Sequence, residues 1–261
     1  MNDGANERDI RAYEAAYAST YDFESVQVRF RREAVLGSLL ARKPRRVVEI
    51  GCGMEPLLPH YLASGNTIDS WVVVEPAPMF AQAAREAGKD CAGMVVIEDF
   101  YGDEVANRIL EAHGLADMVV CSGLLHEVAD PMGLLHAIRK VMADDALVHV
   151  NVPNAASLHR RLARAMGLIR DLETLSDRNV ELQQHRVYSL ATLQRDLQAA
   201  GLRPVEDGGI LMKPFTHAQM STVVDALGSD ILAGLAVLGA GAARALVRNF
   251  RQRDCRGPVN A

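Results

Sequence analysis

Cysteine is rare in this sequence, and no two cysteines stand at metal-binding spacing. The four cysteines, Cys52, Cys91, Cys121 and Cys255, are scattered and form no Cys-x-x-Cys pair. Their distribution argues against a structural zinc site and a disulfide framework, and it is typical of a protein from a reducing cytosol. The eight histidines show no metal-binding pattern either. The sequence therefore predicts a cytoplasmic protein without a catalytic metal.

Positive charge and aromatic side chains are also in short supply. The chain carries 28 Lys and Arg against 33 Asp and Glu, which gives a net charge of −5, and only 5% of its residues are aromatic. Nucleic-acid binding favours a basic surface studded with aromatic side chains. The composition therefore predicts no nucleic-acid partner.

No hydrophobic run in the sequence is long enough to cross a bilayer. The longest, residues 231–243, lies between Asp230 and Arg244. A transmembrane helix needs about 20 apolar residues, so we expect a buried helix or a homodimer contact here, and no membrane segment. The N-terminal residues are polar and acidic, which is unlike a signal peptide.

Strand and helix patterns, by contrast, alternate regularly through the middle of the chain. The 261 residues are 49% hydrophobic, enough for one well-buried domain with an appendage. Strands are predicted at residues 47–50, 71–75, 94–97, 118–122 and 146–152, and helices at residues 56–63, 79–88, 105–113 and 131–142. This alternation predicts an α/β, Rossmann-like fold, in which helices cover both faces of a mostly parallel sheet.

Helical segments flank this core on both sides. Residues 1–45 are predicted to form an N-terminal helical lid, because apolar positions recur at helical spacing as far as the helix-stopping Pro44. The core spans residues 46–212 and includes a helical cap at about 155–187, and residues 213–261 form a second, C-terminal helical cap. Further elements are a helix at 189–200 with Ser189 as its N-cap, a strand at 202–212, helical structure at 216–243, and residues 245–251 as either a last antiparallel strand or a continued helix. With that last strand the sheet has seven strands.

The segment Val47–Gly53 carries the most information about function. The strand holds an acid, Glu49, near its end and then opens into Gly51-Cys52-Gly53, where glycine lets the backbone approach a ligand closely. A second acid, Glu75, ends the next strand, where a carboxylate can accept hydrogen bonds from a ribose diol. Together these features predict a nucleoside-binding crevice at the carboxyl end of a parallel sheet.

A nucleoside with phosphates is disfavoured at this crevice. Pro56 replaces the third glycine of a dinucleotide fingerprint, Glu55 adds a negative charge where phosphates would lie, and no Walker lysine motif occurs. The ligand is therefore expected to bear positive charge and no phosphate. S-adenosyl-L-methionine fits, since it combines a sulfonium, an ammonium, a carboxylate, a ribose and an adenine.

Four segments, in order, resemble class I S-adenosylmethionine-dependent methyltransferases of the small-molecule type. They are residues 47–53, Glu75-Pro76, residues 117–131 and the turn at 151–154, and the resemblance covers residues 30–210. Residues 151–220 are also similar to bacterial methyltransferases of sugar and natural-product pathways.

The resemblance implies an S-adenosyl-L-methionine site built from ten residues. The cofactor-binding residues it implies are Glu49, Gly51, Cys52, Gly53, Glu75, Pro76, Asp99, Phe100, Ser122 and Gly123. Asp99 would accept a hydrogen bond from the adenine amino group and Phe100 would pack on the ring. Glu98 is the alternative to Asp99 in this register.

Two histidines are candidate catalytic bases. His126 follows the fourth strand and His185 precedes the helix at 189–200. A histidine of near-neutral pKa can take a proton from an acceptor hydroxyl or ammonium as the methyl group arrives. The alternatives are a structural hydrogen bond for His126 and a helix-entry segment for His185. Many related enzymes place Glu before His in the loop after the fourth strand, whereas this chain reads His126-Glu127.

Candidate acceptor-binding residues come from the lid and from the second half of the chain. They are Tyr17, Tyr21, Asn154, Arg186 and Tyr188, for each of which packing or turn formation is the alternative. The cluster Arg29, Arg31 and Arg32 forms either a solvated helix face or a contact to a carboxylate or phosphate of the acceptor.

The sequence thus predicts an enzyme that transfers a methyl group from S-adenosyl-L-methionine to an oxygen or nitrogen of a small-molecule acceptor. A small-molecule acceptor is favoured because the large caps would enclose a modest pocket, and the resemblance of residues 151–220 favours a sugar or natural-product intermediate. The alternatives are an RNA or protein methyltransferase, a catalytically inactive cofactor-binding protein, and an NAD-linked oxidoreductase that binds nicotinamide despite Glu55 and Pro56.

Overall fold

The structure is a computed structural model that describes residues 8–19, 24–238 and 242–249. Its strands are β1 (Arg46–Ile50), β2 (Ser70–Val74), β3 (Met94–Ile97), β4 (Ala116–Ser122), β5 (Met142–Pro153), β6 (Leu202–Gly208) and β7 (Ala242–Asn249). Its helices are α1 (Ile10–Ser19), α2 (Glu24–Arg42), α3 (Leu58–Ala63), α4 (Pro78–Ala87), α5 (Asp103–His113), α6 (Pro131–Val141), α7 (Leu158–Ala165), α8 (Asp177–Glu181), α9 (Leu190–Ala199), α10 (His217–Leu227) and α11 (Asp230–Leu238).

The strands form one sheet in the order β3-β2-β1-β4-β5-β7-β6. Strands β1 to β5 pair in parallel, and β7 runs antiparallel to both of its neighbours, β5 and β6. Strands β2 and β3 follow β1 on one side, and β4 and β5 lie on its other side. Open α/β sheets bind ligands at such a reversal of strand order, in the crevice between the carboxyl ends of the two strands, here β1 and β4.

Helices cover both faces of the sheet because its strands bury side chains on both sides. Val48 and Ile50 of β1 point into a core that α5, α6 and α9 complete. Val47 of the same strand points into a second core with α2, α3 and α4. The α/β, Rossmann-like, mostly parallel architecture predicted from the sequence is confirmed.

A third apolar cluster attaches the C-terminal cap to α2. Phe30 of α2 packs with Ile210 and Leu211, which follow β6, and with Met220 of α10 and Leu232 of α11. This cluster brings the chain after β6 back to α2, although most of the sheet's strands lie between them in the sequence. The cap therefore has a defined place against α2.

The segment from Arg8 through α1 crosses from α4 to the turn that follows α8. The Tyr13 and Phe80 rings meet edge to face with centroids 6.2 Å apart, and Glu14 accepts a hydrogen bond of 3.1 Å from the Met79 amide. On the other side, the amide of Asp9 donates to the Gln183 side chain at 3.0 Å. Helix α1 thus spans the region where a lid was predicted.

Several predicted boundaries move, for local reasons. The strand predicted at 202–212 ends at Gly208, because Ile210 and Leu211 leave the sheet for the third cluster. The helical structure predicted at 216–243 is divided into α10 and α11, and residues 242 and 243 already belong to β7. The open choice for the last segment is resolved in favour of an antiparallel strand, which begins three residues earlier than predicted, at Ala242.

Within the predicted cap at 155–187 the described helices are short. Helices α7 and α8 span only 8 and 5 residues, and turns connect them. Ser189 caps α9 as predicted: its side chain accepts a hydrogen bond from the Thr192 amide. Among the described residues no helix is both long and apolar enough to span a membrane.

Candidate cofactor and acceptor site

The carboxyl ends of the parallel strands open into a cavity of about 1230 Å³. Its walls come from α1 and α2, from the loops after β1, β2, β4 and β5, and from the segments before α10. Pockets for a single drug-sized ligand typically measure about 300 to 1,000 Å³. The cavity therefore has room for two ligands side by side.

The glycine turn after β1 forms one wall of the cavity. Gly51 and Gly53 have φ angles of 71° and 59°, in the left-handed region that favours glycine. A Cβ built on Gly53 would meet nothing within 4 Å, so its backbone conformation, and not crowding, accounts for the glycine there. Gly51 also donates its amide to the Val74 carbonyl at 2.9 Å, which joins the turn to β2.

Glu49 is a buried carboxylate beneath this turn, only 2% exposed. It accepts hydrogen bonds from the Trp71 indole at 2.9 Å and from the Leu57 amide at 3.2 Å. Burial raises the pKa of Glu49 to about 7 despite these two donors. A cation bound in the cavity would offset the cost of ionising this group, so Glu49 suits a positively charged ligand.

Glu75 directly follows β2, the strand that pairs with β1, and is 5% exposed. Its carboxylate accepts hydrogen bonds from the Ala77 amide at 3.0 Å and the Gly53 amide at 3.3 Å. Burial raises the pKa of Glu75 as well. Its oxygens and the neighbouring Pro76 line the cavity, where a carboxylate could accept hydrogen bonds from a ribose diol.

The loop after β3 carries the two acids that are candidates for the adenine contact, and the structure places them differently. Asp99 and Phe100 line the cavity, and Phe100 is 42% exposed. Glu98 is not among the lining residues and pairs with Arg85 on α4 at 2.8 Å. Asp99 accepts hydrogen bonds from the Phe100 amide at 2.8 Å and from Arg108 at 3.2 Å. The geometry favours Asp99 over Glu98 as the residue that faces a ligand.

The turn after β4 faces the glycine turn. Gly123 has a φ of 70° and donates its amide to the Asn151 carbonyl at 3.0 Å. The Asn151 side chain donates to Ser122 Oγ at 2.8 Å, so β5 holds this turn from two points. A Cβ built on Gly123 would lie 3.8 Å from an Arg31 guanidinium nitrogen, so the Arg31 side chain of α2 reaches this turn.

The two candidate bases come from segments that hydrogen-bond to each other. His126 is 3% exposed and lines the cavity, and its Nε2 lies 3.6 Å from Glu127 Oε1. The His126 carbonyl accepts hydrogen bonds from the amides of His185, at 3.0 Å, and Arg186, at 3.3 Å. His185 itself is exposed and lines the cavity.

The predicted acceptor-binding residues do not all line the cavity. Asn154 lines the cavity, with its side-chain oxygen 2.9 Å from the Ala156 amide. Arg186 and Tyr188 are not among the lining residues: Arg186 donates to the Ala129 carbonyl at 2.8 Å, and the buried Tyr188 donates to Asp196 at 3.2 Å. Tyr17 belongs to α1, but its side chain lies outside the described part, as does all of Tyr21.

Several lining residues were not singled out as site residues from the sequence. They are Arg8, Tyr13, Gln27, Ser157, Lys213 and His217. His159 and Arg31 also line the cavity. Tyr13 could have been found because it precedes Tyr17 and Tyr21, the two predicted acceptor-binding tyrosines, at helical spacing. The others carry no local signal, because long-range packing brings them to the cavity.

Comparison with known families gives a match over most of the chain. The sequence profile of the family described as "Methyltransferase domain" matches residues 26–207, from α2 to β6. No curated protein matches the chain in sequence.

Solved structures resemble the chain over most of its length. An S-adenosylmethionine dependent methyltransferase from Mesorhizobium loti has a TM-score of 0.53 at 14% identity, covering 82% of this chain and 96% of that one. The N-methyltransferase NodS from Bradyrhizobium japonicum WM9, in complex with S-adenosyl-L-homocysteine, has a TM-score of 0.51 at 14% identity, covering 86% and 87%.

A third structure is the 1,6-didemethyltoxoflavin-N1-methyltransferase from Burkholderia thailandensis, with bound 1,6-didemethyltoxoflavin and S-adenosylhomocysteine. Its TM-score is 0.56 at 15% identity, covering 96% of this chain and 98% of that one. At these identities the likeness shows the fold.

Proposed function

We propose that this chain, which belongs to the methyltransferase-domain family, transfers a methyl group from S-adenosyl-L-methionine to an oxygen or nitrogen of a small molecule. The family membership rests on the match over residues 26–207. The resemblance found in the sequence is thereby confirmed. The S-adenosyl-L-methionine cofactor expected from the sequence agrees with the family and with the S-adenosylhomocysteine bound in two of its structural neighbours.

The observation that carries the proposal is the pair of buried carboxylates, Glu49 and Glu75, at the ends of adjacent parallel strands. Both face one cavity across the Gly51–Gly53 turn. Burial disfavours the ionised form of each, which a ligand with a cationic end and a hydroxyl-bearing ribose would offset. A phosphate at this turn would instead meet two carboxylates.

The bound cofactor supplies an electrophilic methyl group on a sulfonium. Transfer of this methyl group to the acceptor's lone pair would leave the electrons of the carbon–sulfur bond on sulfur. We assign the proton that the acceptor loses to the His126 imidazole, with Glu127 at 3.6 Å to stabilise the resulting imidazolium. His185, which is exposed at the same cavity, is the second candidate for this role.

A small-molecule acceptor is supported by how the cavity is closed. Arg8 and Tyr13 from the lid, and the segments around α7 and α8, line it together with the sheet core. Such walls leave space for a compact acceptor beside the cofactor. One structural neighbour is described with a bound small molecule, 1,6-didemethyltoxoflavin.

Calorimetry with S-adenosylmethionine and S-adenosylhomocysteine tests the cofactor part of the proposal. Glu75→Gln should weaken binding of both about tenfold, because a ribose diol would lose a charged acceptor. Glu98→Gln is the matched control: it removes an acid from the same side of the sheet without touching the cavity, and it should leave binding unchanged. Absence of millimolar binding to the wild-type protein would defeat the proposal.

A methyl-release assay over a panel of small hydroxyl and amine acceptors tests the chemical part. His126→Ala should retain cofactor binding and lose turnover on any acceptor that the wild-type protein methylates. Unchanged turnover removes His126 as the base and leaves His185 to be tested in the same way. Cofactor binding without methyl release on any acceptor would favour the inactive cofactor-binding alternative.

A further inference from the structure

Helix α7 exposes its apolar side chains to solvent and turns polar ones towards the protein. Leu158 and Leu162 are exposed, and no residue of this helix is fully buried. His159 and Arg160, by contrast, are half-buried and line the cavity. A surface helix ordinarily buries its apolar stripe against the core. Packing within the described part of the chain therefore does not account for the apolar side of α7.

The exposed apolar surface continues beyond the end of the helix. Met166, which is 63% exposed, follows Leu158 and Leu162 at intervals of four residues, so the three side chains share one helix face. Leu168 is 70% exposed, and its amide donates to the Ala163 carbonyl at 2.9 Å, which keeps it beside the helix end. Contiguous exposed apolar side chains of this size mark an interaction surface.

Two arginines lie next to these apolar side chains. Arg161 and Arg164 are exposed and stand three residues apart, so they are neighbours on the helix surface. Within the described part of the chain neither of them has an ion pair or a side-chain hydrogen bond. We call this surface the outer face of α7. It consists of Leu158, Arg161, Leu162, Arg164, Met166 and Leu168.

The outer face is positive, whereas the chain as a whole is negative. The sequence has no acidic residue between Asp145 and Asp171, and the stretch between them includes four arginines. The net charge of the chain is nevertheless −5. A negatively charged surface would therefore attract the protein through the outer face and repel much of the rest, which would fix the orientation of the protein on it.

Hydrogen bonds at both ends hold α7 and the loop after it in place. The His159 amide donates to the Lys213 carbonyl at 3.3 Å, at the start of the helix. Arg160 Nε donates to the Leu172 carbonyl at 2.8 Å, and the same guanidinium donates to the Thr174 carbonyl. The outer face is thus presented on a fixed framework, which lowers the entropic cost of binding a partner.

The charge of the outer face decides between possible partners. In a two-fold contact with a second copy, the face would meet its own arginines, and like charges at an interface are unfavourable. An anionic bilayer matches both parts of the face. Leucine and methionine side chains can enter the boundary between headgroups and acyl chains, and arginines can pair with lipid phosphates.

We propose that the outer face of α7 docks on the surface of an anionic lipid bilayer. Leu158, Leu162, Met166 and Leu168 enter the interface, and Arg161 and Arg164 contact the phosphates. Docking of this kind needs no membrane-spanning helix. It goes beyond the proposed function and does not depend on it. Because His159 and Arg160 on the inner side of the same helix line the cavity, docking places one cavity wall next to the bilayer.

Cosedimentation of the full chain with vesicles tests the proposal. One set of vesicles contains phosphatidylcholine and phosphatidylglycerol in equal parts, the other only phosphatidylcholine, both at about 0.15 M salt. We expect binding to the anionic vesicles alone. Arg161→Gln/Arg164→Gln should weaken it about twentyfold, from about fivefold for each charge near the surface. Leu162→Ser/Met166→Ser should weaken it about tenfold, because less apolar area enters the interface.

Matched control variants change the same residue types elsewhere on the surface. Arg195→Gln/Arg203→Gln removes two exposed arginines, and Leu227→Ser changes a leucine of α10 that is 66% exposed. Both controls should bind the anionic vesicles as the wild-type protein does. The midpoint of urea unfolding shows whether each variant is folded, and Leu168→Ser replaces the apolar double variant if that one is not.

Three results would overturn the proposal. They are absence of binding to the anionic vesicles, equal binding to the two kinds of vesicle, and equal losses in the control variants and the outer-face variants. A lower oligomeric state of Leu162→Ser/Met166→Ser in lipid-free sedimentation equilibrium would also overturn it, because the face would then join two copies of the chain. None of these measurements uses the cofactor or an acceptor, so failure of the proposed function would be a separate result.

Discussion

Arg8 Nη1 donates to Glu127 Oε2 across 2.7 Å, and both side chains are only 13% exposed. The same guanidinium donates to the Leu182 carbonyl at 2.7 Å and lies 3.8 Å from the centre of the Tyr13 ring. One side chain thus joins the lid, the turn after β4 and the cap. The lid is attached at the point where the candidate base His126 is held.

Because this ion pair is mostly shielded from water, it should contribute measurably to stability. A double-mutant cycle with Arg8→Gln and Glu127→Gln should give a coupling energy of about 1 to 2 kcal/mol in urea unfolding. The matched control is the Arg85–Glu98 pair, whose side chains are 42% and 38% exposed and for which we expect less than about 0.5 kcal/mol. Equal coupling in the two pairs would mean that the lid is not held by Arg8.

The raised pKa of Glu49 predicts a pH-dependent stability. Its folded-state pKa of about 7 lies above its ordinary value of 4.5, so folding favours the protonated carboxyl. The contribution is fully present below pH 4.5 and is lost as the pH rises through 7. At about 1.4 kcal/mol per pKa unit, the loss is about 3 kcal/mol. The free energy of unfolding, measured by urea titration, should therefore fall between pH 5 and pH 8.

Glu49→Gln is the control for this prediction, because the amide cannot ionise and resembles the protonated carboxyl in shape. The variant should lose most of the decline in unfolding free energy between pH 5 and pH 8. It should also bind S-adenosylmethionine less tightly at pH 8 than the wild-type protein. A decline of the same size in both proteins would assign the effect to other groups.

Trp71 offers an optical report on the same carboxyl. It is the only tryptophan in the chain, it is buried, and its indole donates to Glu49 at 2.9 Å. Ionisation of Glu49 should change its fluorescence, with a midpoint near pH 7. The pH titration of emission should vanish in Glu49→Gln, and addition of S-adenosylmethionine should shift the wild-type midpoint to lower pH, because a cation favours the carboxylate.

Tyr188 separates a packing role from an acceptor-binding role. It was predicted to bind the acceptor, but it is 2% exposed and its hydroxyl donates to Asp196 at 3.2 Å. Tyr188→Phe should cost about 1 kcal/mol of unfolding free energy and leave the KM for an acceptor unchanged. A raised KM at unchanged stability would restore the acceptor-binding interpretation.

The cofactor half of the site could be predicted because its signals are local. Each of Glu49 and Glu75 follows a run of apolar β-formers, and the turn at Gly51 comes directly after the first run. The ends of adjacent parallel strands must meet at one edge of a sheet, so the sequence alone brings these groups together.

The acceptor half could not be predicted in the same way. Gln27 and His217 touch although 190 positions separate them, and Lys213 lies just beyond the strand predicted at 202–212. The apolar cluster of Phe30, Ile210 and Leu211 brings them to the cavity. Such packing depends on three-dimensional fit between distant segments, which periodicity does not encode.

The position of β7 has a consequence for how the chain is made. This strand lies between β5 and β6 in the sheet, although it follows both of them in the sequence. During synthesis β5 therefore emerges with an unpaired edge, and β6 emerges without any neighbour, until residues 242–249 leave the ribosome. Nascent chains stalled before that point should expose the unpaired edge of β5 and therefore bind chaperones. Chains stalled after it should not.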